Sequence, residues 1–107
     1  WIAILHGRTA IDLASSSGAH QAEDLVKLLL VGADVVTMAS ALLLHGPEHV
    51  AKVLAELRAW MAEHEYDDVS DLRGALSQRA APDPAAFERA NYLRTLTGYA
   101  ASYRPPR

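Results

Sequence analysis

The sequence predicts an α/β fold built on a parallel sheet. Short apolar segments alternate with segments of helical spacing in the first half of the chain, and past His64 only helical signals remain. A strand, helix, strand, helix order with strands this short implies right-handed βαβ connections. The paired valines of Ala33–Met38 suit a strand buried on both faces, the usual condition of a parallel sheet.

The elements follow in order. Trp1–Leu5 is an apolar run too short for periodicity to assign, and its start inside an apolar segment predicts a cut end of a longer protein. Ala10–Ser15 is the first strand, closed by Ser16, Ser17 and Gly18 at a tight turn. Gln21–Val31 is a helix: Leu25, Val26, Leu28 and Leu29 recur at helical spacing, Glu23 and Asp24 oppose the dipole, and Gly32 supplies a left-handed cap. Ala33–Met38 is the second strand, followed by the small residues Ala39, Ser40 and Ala41. Pro47 is placed as the first residue of a long helix with Val50, Val53, Leu54, Leu57, Trp60 and Met61 on one face. Ser70 is expected to cap a short helix reaching Leu76, and Asp83 to cap a helix from Pro84 to about Thr97. The tail Arg104–Arg107 is expected to fray, and Tyr92, Tyr99 and Tyr103 to pack. Two strands cannot complete a parallel sheet, so the edges bearing Leu13, Val35 and Val36 require neighbours from additional chain or from a partner.

Composition excludes several classes of function. Half of the 107 residues are apolar and the formal net charge is −3, so there is no basic stripe to neutralise a phosphate backbone and no nucleic-acid partner is expected. No apolar run approaches the roughly 18 to 20 residues of a membrane span, and the first residues lack the basic region, apolar stretch and small-residue cleavage site of an export signal, so neither membrane insertion nor export is expected. The chain has no cysteine, hence no disulfide, thiolate ligand or thiol nucleophile. A cytoplasmic location is expected, with no membrane contact.

His45 and His49, four apart with Glu48 between them, mimic a zinc-protease helix. Gly46 and Pro47 interrupt that helix, however, and the glutamate occupies the wrong slot, so no metal site is expected. The carboxylates of Glu63, Glu65, Asp67, Asp68 and Asp71 read as a solvated face. The informative places are the turns after the two strands, Ser15–Ala19 and Ala39–Ala41. In parallel α/β folds, backbone N–H groups at strand ends bind phosphate, and small side chains let the ligand approach.

The stretch Gly18-Ala19-His20-Gln21-Ala22-Glu23-Asp24 and the stretch from Val31-Gly32-Ala33-Asp34 through Met38-Ala39-Ser40-Ala41-Leu42 resemble the last two βα units of the dihydroorotate dehydrogenase family. His45-Gly46-Pro47-Glu48-His49, Ser77-Gln78 and Pro82-Asp83-Pro84 through Asn91-Tyr92 resemble a bacterial dihydroorotate dehydrogenase-like branch of it. The resemblance implies the C-terminal part of a (β/α)8 TIM barrel, with residues 1–66 belonging to the FMN-binding barrel and 67–107 to a helical extension packed on it. Trp1–Leu5 would then end the sixth helix.

The implied reaction oxidises dihydroorotate to orotate in pyrimidine synthesis, with FMN as hydride acceptor and a small dihydropyrimidine as substrate. Homo-oligomerisation is left open. In the family a Gly-Gly pair and a Gly-Thr pair hold the FMN phosphate; the matching positions are Ser17-Gly18 and Ala39-Ser40. Cofactor binding is therefore assigned to Ser17, Gly18, Ala19, Ala39 and Ser40. Ser17 and Ala39 depart from glycine, and a positive φ at either would cost on the order of 1 kcal/mol. The catalytic base lies upstream in the family, so no catalytic residue is assigned and the isolated chain is expected to be inactive. Two other readings stand beside this one: another phosphate-binding TIM-barrel enzyme, and a non-enzymatic module that binds through the helices after Pro47.

Overall fold

The structure is a computed structural model that describes residues 1–102, with side chains through residue 98. The expected fraying of Arg104–Arg107 and packing of Tyr103 lie outside the described residues, as does the side chain of Tyr99. The elements are α1 (Ile2–Leu5), β1 (Ala14–Ser15), α2 (Ala22–Val31), β2 (Val35–Val36), α3 (Ser40–His45), α4 (His49–Glu63), α5 (Val69–Leu72), a 3-10 turn (Gln78–Ala80) and α6 (Pro84–Ser102). Trp1–Leu5, open between strand and helix by pattern, is helical as the resemblance implies.

The strands pair in parallel, Ala14 with Val35 and Ser15 with Val36. Both are shorter than the sequence pattern suggests. Residues before Ala14 turn locally, the Ile11 N–H donating to Thr9 Oγ1 at 3.2 Å, and Ile11 is exposed. The expected burial of the second strand on both faces is corrected as well, because Val35 remains 48 % exposed. Asp34 ties the pair together from below: its Oδ2 accepts from the Leu13 N–H at 2.8 Å while its Oδ1 meets Arg73 Nη1 at 2.8 Å.

Helix α2 forms where its spacing predicts and lies at the centre. Gly32 adopts φ +110° at its end, and its N–H closes on Leu28 and Leu29 carbonyls. The core gathers Ala22, Leu25, Val26 and Leu29 of α2 with Val53, Leu57 and Met61 of α4 and Leu72 of α5. Met61 is followed by a stacked aromatic layer, His64 on Trp60 at 3.9 Å and Trp60 on Tyr66 at 5.9 Å.

Four local expectations change. Ala39–Ala41 is not a free turn, because Ser40 already begins α3. Helix α4 starts at His49, two residues after Pro47, whose carbonyl instead accepts from Val50 in the lead-in turn. Only one stripe of α4 meets α2, so Val50 and Leu54 stay exposed at 37 % and 41 %. The cap of α5 is Asp68, not Ser70, with Asp68 Oδ1 accepting from the Ser70 N–H at 2.6 Å.

Helix α5 also stops at Leu72, short of Leu76. Gly74, at φ +79°, turns the chain so that its N–H and that of Leu76 reach the Leu29 and Leu30 carbonyls at 2.9 and 2.8 Å. The chain thereby leaves its own helix to satisfy the last carbonyls of α2. Asp83 caps α6 as predicted, accepting from the Ala86 N–H at 2.9 Å, and the helix runs on to Ser102, beyond Thr97.

Candidate functional site

Because β1 and β2 are parallel neighbours, the chain leaves both at the same edge, and the two small-residue turns emerge side by side. Thr37 fixes the divergence point: its N–H and its hydroxyl both donate to the Ser15 carbonyl, at 2.9 and 3.1 Å. Past this point Ser17, Gly18, Ala39 and Ser40 are exposed and Ala19 is buried in the core. Among the described residues, the backbone N–H groups of Ser17, Gly18, Ala19, Ala39 and Ser40 donate to no protein acceptor. Such uncommitted donors are what an anion needs.

The departures from glycine carry no backbone penalty. Gly18 does need its conformational freedom, at φ +80°, but a Cβ there would meet nothing within 4 Å, so the space beside it is open. Ala39 has φ −117°, and Ser17 is not in the left-handed region. Both positions accept a small side chain without strain.

Sequence reasoning missed His20, which lies between the turns. Its ring Nε2 is 3.3 Å from Ser40 Oγ, bridging the loop after β1 to the start of α3. Its N–H donates to Asp24 Oδ2 at 3.0 Å, and its carbonyl accepts from His49 Nε2 at 2.6 Å. A carbonyl can only accept, so the His49 proton sits on Nε2. His49 in turn lies against His45, ring centres 4.7 Å apart. Of the two histidines of the pseudo-zinc pattern, His49 thus holds the loop and His45 lies against His49. The local cue to His20 was Asp24, four residues on, as a helix-capping acceptor; its ring partner is too distant in sequence for any pattern to show.

The Asp24 carboxyl is held below the usual carboxylate range, first by the His20 N–H and then by that of Gln21, at 3.0 and 3.2 Å. A depressed pKa in the folded state contributes stability that is full above the unfolded value and is lost as pH falls through the folded one. Acidification below the ordinary carboxylate range should therefore loosen the turn before α2. Hydrogen exchange should show the His20 and Gln21 amides losing protection under acid earlier than the Leu28 and Leu29 amides; simultaneous loss would contradict this.

An open groove of about 770 Å³ lies elsewhere, between α1 and α6, lined by Trp1, Ile4, Glu88 and Tyr92 among others. It shares no residue with the paired turns. Among the described residues, no helix is long and apolar enough to cross a membrane.

Comparison with known proteins finds distant, partial similarity. The chain is 27 % identical over 62 residues, 58 % of its length, to a dihydropyrimidine dehydrogenase (NADP(+)), chloroplastic, of Arabidopsis thaliana. It is 32 % identical over 68 residues, 64 % of its length, to a protein of Streptococcus agalactiae named as a dihydroorotate dehydrogenase A (fumarate). These matches span 15 % and 22 % of the two relatives' own lengths. No protein-family model and no solved structure matches the chain. The chain is thus similar, over part of its length, to oxidoreductases of the dihydropyrimidine and dihydroorotate dehydrogenase type.

Proposed function

We propose that this chain is the C-terminal part of an FMN-dependent oxidoreductase related to the dihydroorotate dehydrogenases, contributing the last two βα units of a (β/α)8 barrel and the loops that hold the flavin phosphate. The observation that carries the reading is the pair of turns at one edge of a parallel strand pair, with uncommitted amides on both. The partial similarity to two dehydrogenases supports it. The residues present fit the group: Gly18 leaves open space, the amides of Gly18, Ala19, Ala39 and Ser40 can donate, and the Ser17 and Ser40 hydroxyls can assist. Bound FMN would supply the hydride acceptor, and the substrate would be a small dihydropyrimidine such as dihydroorotate. The part played by this chain is to anchor the cofactor, with the proton-abstracting base contributed from elsewhere in the longer protein. Exposure of Val35 fits a strand whose bare face is covered in the complete barrel.

Purified longer protein should release FMN on denaturation, one per chain, and oxidise dihydroorotate. The 107-residue chain alone should neither retain FMN nor oxidise dihydroorotate, its two turns keeping only a weaker, saturable affinity for free phosphate. A colourless longer protein that still binds phosphate would instead favour another phosphate-binding barrel.

A further inference from the structure

We infer that His20 is a positioning residue of the phosphate site, orienting the Ser40 hydroxyl so that its single proton is committed to the anion. The inference rests on the phosphate reading above and adds to it a residue and a role.

A serine hydroxyl carries one proton and two lone pairs, and at the start of a helix it rotates freely among nearby acceptors. His20 Nε2, 3.3 Å from Ser40 Oγ, removes that freedom. With the ring proton on Nε2, the imidazole donates to Oγ and the serine proton is left for a third group. With the proton on Nδ1, the hydroxyl is consumed by the imidazole. The phosphate monoester dianion of a flavin mononucleotide offers acceptors only, and inorganic phosphate dianion presents three unprotonated oxygens beside its one hydroxyl, so an unprotonated oxygen facing Ser40 selects the first arrangement, His20 Nε2–H to Ser40 Oγ–H to phosphate oxygen. In such a chain each bond polarises the next.

The ring is held in place from both sides of its own backbone. Asp24 Oδ2 takes the His20 N–H and His49 Nε2–H takes the His20 carbonyl. His49 belongs to α4, whose face packs on α2, so the loop is clamped between the two principal helices of the core. Of the charged and titratable groups around the ring, Asp24 and His49 are spent on that backbone, and His45 lies against His49. The His20 side chain itself meets the Ser40 hydroxyl.

The test is a ³¹P NMR titration of the full 107-residue chain with inorganic phosphate, on wild type, His20→Ala, His20→Gln, Ser40→Ala and the His20→Ala/Ser40→Ala double variant. Truncating His20 leaves both backbone bonds of residue 20 in place, so the loop should persist, and the glutamine variant restores a donor of similar reach. The expected result is a loss of about three- to tenfold in phosphate affinity for each alanine variant, the worth of one hydrogen bond. The double variant should bind no worse than the weaker single, and the glutamine variant should fall between wild type and His20→Ala. The ¹⁵N resonance of His20 Nε2 should move toward its protonated position as phosphate is added. Unchanged affinity in His20→Ala, or losses that multiply in the double variant, would overturn the role of His20 while the phosphate site stands. Absence of saturable phosphate binding in the wild type would overturn the phosphate reading itself, and this inference with it.

Discussion

Replacing Gly74 with alanine should destabilise the chain by about 2–4 kcal/mol, combining the left-handed penalty with an overpacked contact. Gly74 sits at φ +79°, and a Cβ built there would lie 2.2 Å from His6 Nε2 and 2.7 Å from its Cδ2. The half-buried ring is already engaged on its other side, its Nδ1 lying 3.2 Å from the Gly32 carbonyl oxygen and its Cγ 2.3 Å from where a Gly32 Cβ would stand. One imidazole is thus held between two glycine backbones, one ending α2 and one redirecting the chain after α5. Urea unfolding of Gly74→Ala, His6→Ala and the double variant should reveal strong coupling. Once the ring is gone, only the backbone conformational penalty of about 1–2 kcal/mol should remain for Gly74→Ala. Strictly additive effects would contradict the clamp. Gly32→Ala should be rescued less completely by His6→Ala, since its Cβ would still lie 2.6 Å from His6 Cβ.

Leu72→Ala should cost about 2–5 kcal/mol, the range for deleting a core leucine whose surroundings relax only partly. Leu72 is fully buried and is the contribution of α5 to the core. Its loss should also free the segment that follows, so the Gly74 and Leu76 amides, which cover the Leu29 and Leu30 carbonyls, should lose hydrogen-exchange protection first. Leu43→Ala is the control: at 89 % exposure it should change stability by no more than about 0.5 kcal/mol. Equal effects at the two leucines would show that the core is not where the structure puts it.

The parts of this architecture that local chemistry dictates were readable from the sequence. Helix α2 has its acidic first turn and its left-handed glycine within a dozen residues, and Asp83-Pro84 announces α6 in two. The parallel pairing followed from the order of the elements. Boundaries failed where two residues compete for one role a step apart, as Asp68 and Ser70 do at α5, or where a glycine turn serves a distant helix, as Gly74 does for α2. Helix α3 was hidden because Ser40-Ala41-Leu42-Leu43-Leu44-His45 has no polar stripe to give it a period.

The candidate site divides along the same line. Ser17, Gly18, Ala19, Ala39 and Ser40 could be picked out because small residues after strands are a local signal. His20 could not, since its partners Ser40 and His49 lie 20 and 29 residues away, the first brought to it by the pairing of β1 with β2 and the second by the packing of α4 on α2.

That both turns serve one anion is tested most directly by mapping the amides of the 107-residue chain, in ¹H–¹⁵N spectra, during titration with inorganic phosphate. The cross-peaks of Gly18 and Ala19 should move together with those of Ala39 and Ser40, along curves that share a single dissociation constant. Movement of one turn without the other, or two unrelated constants, would contradict a common site.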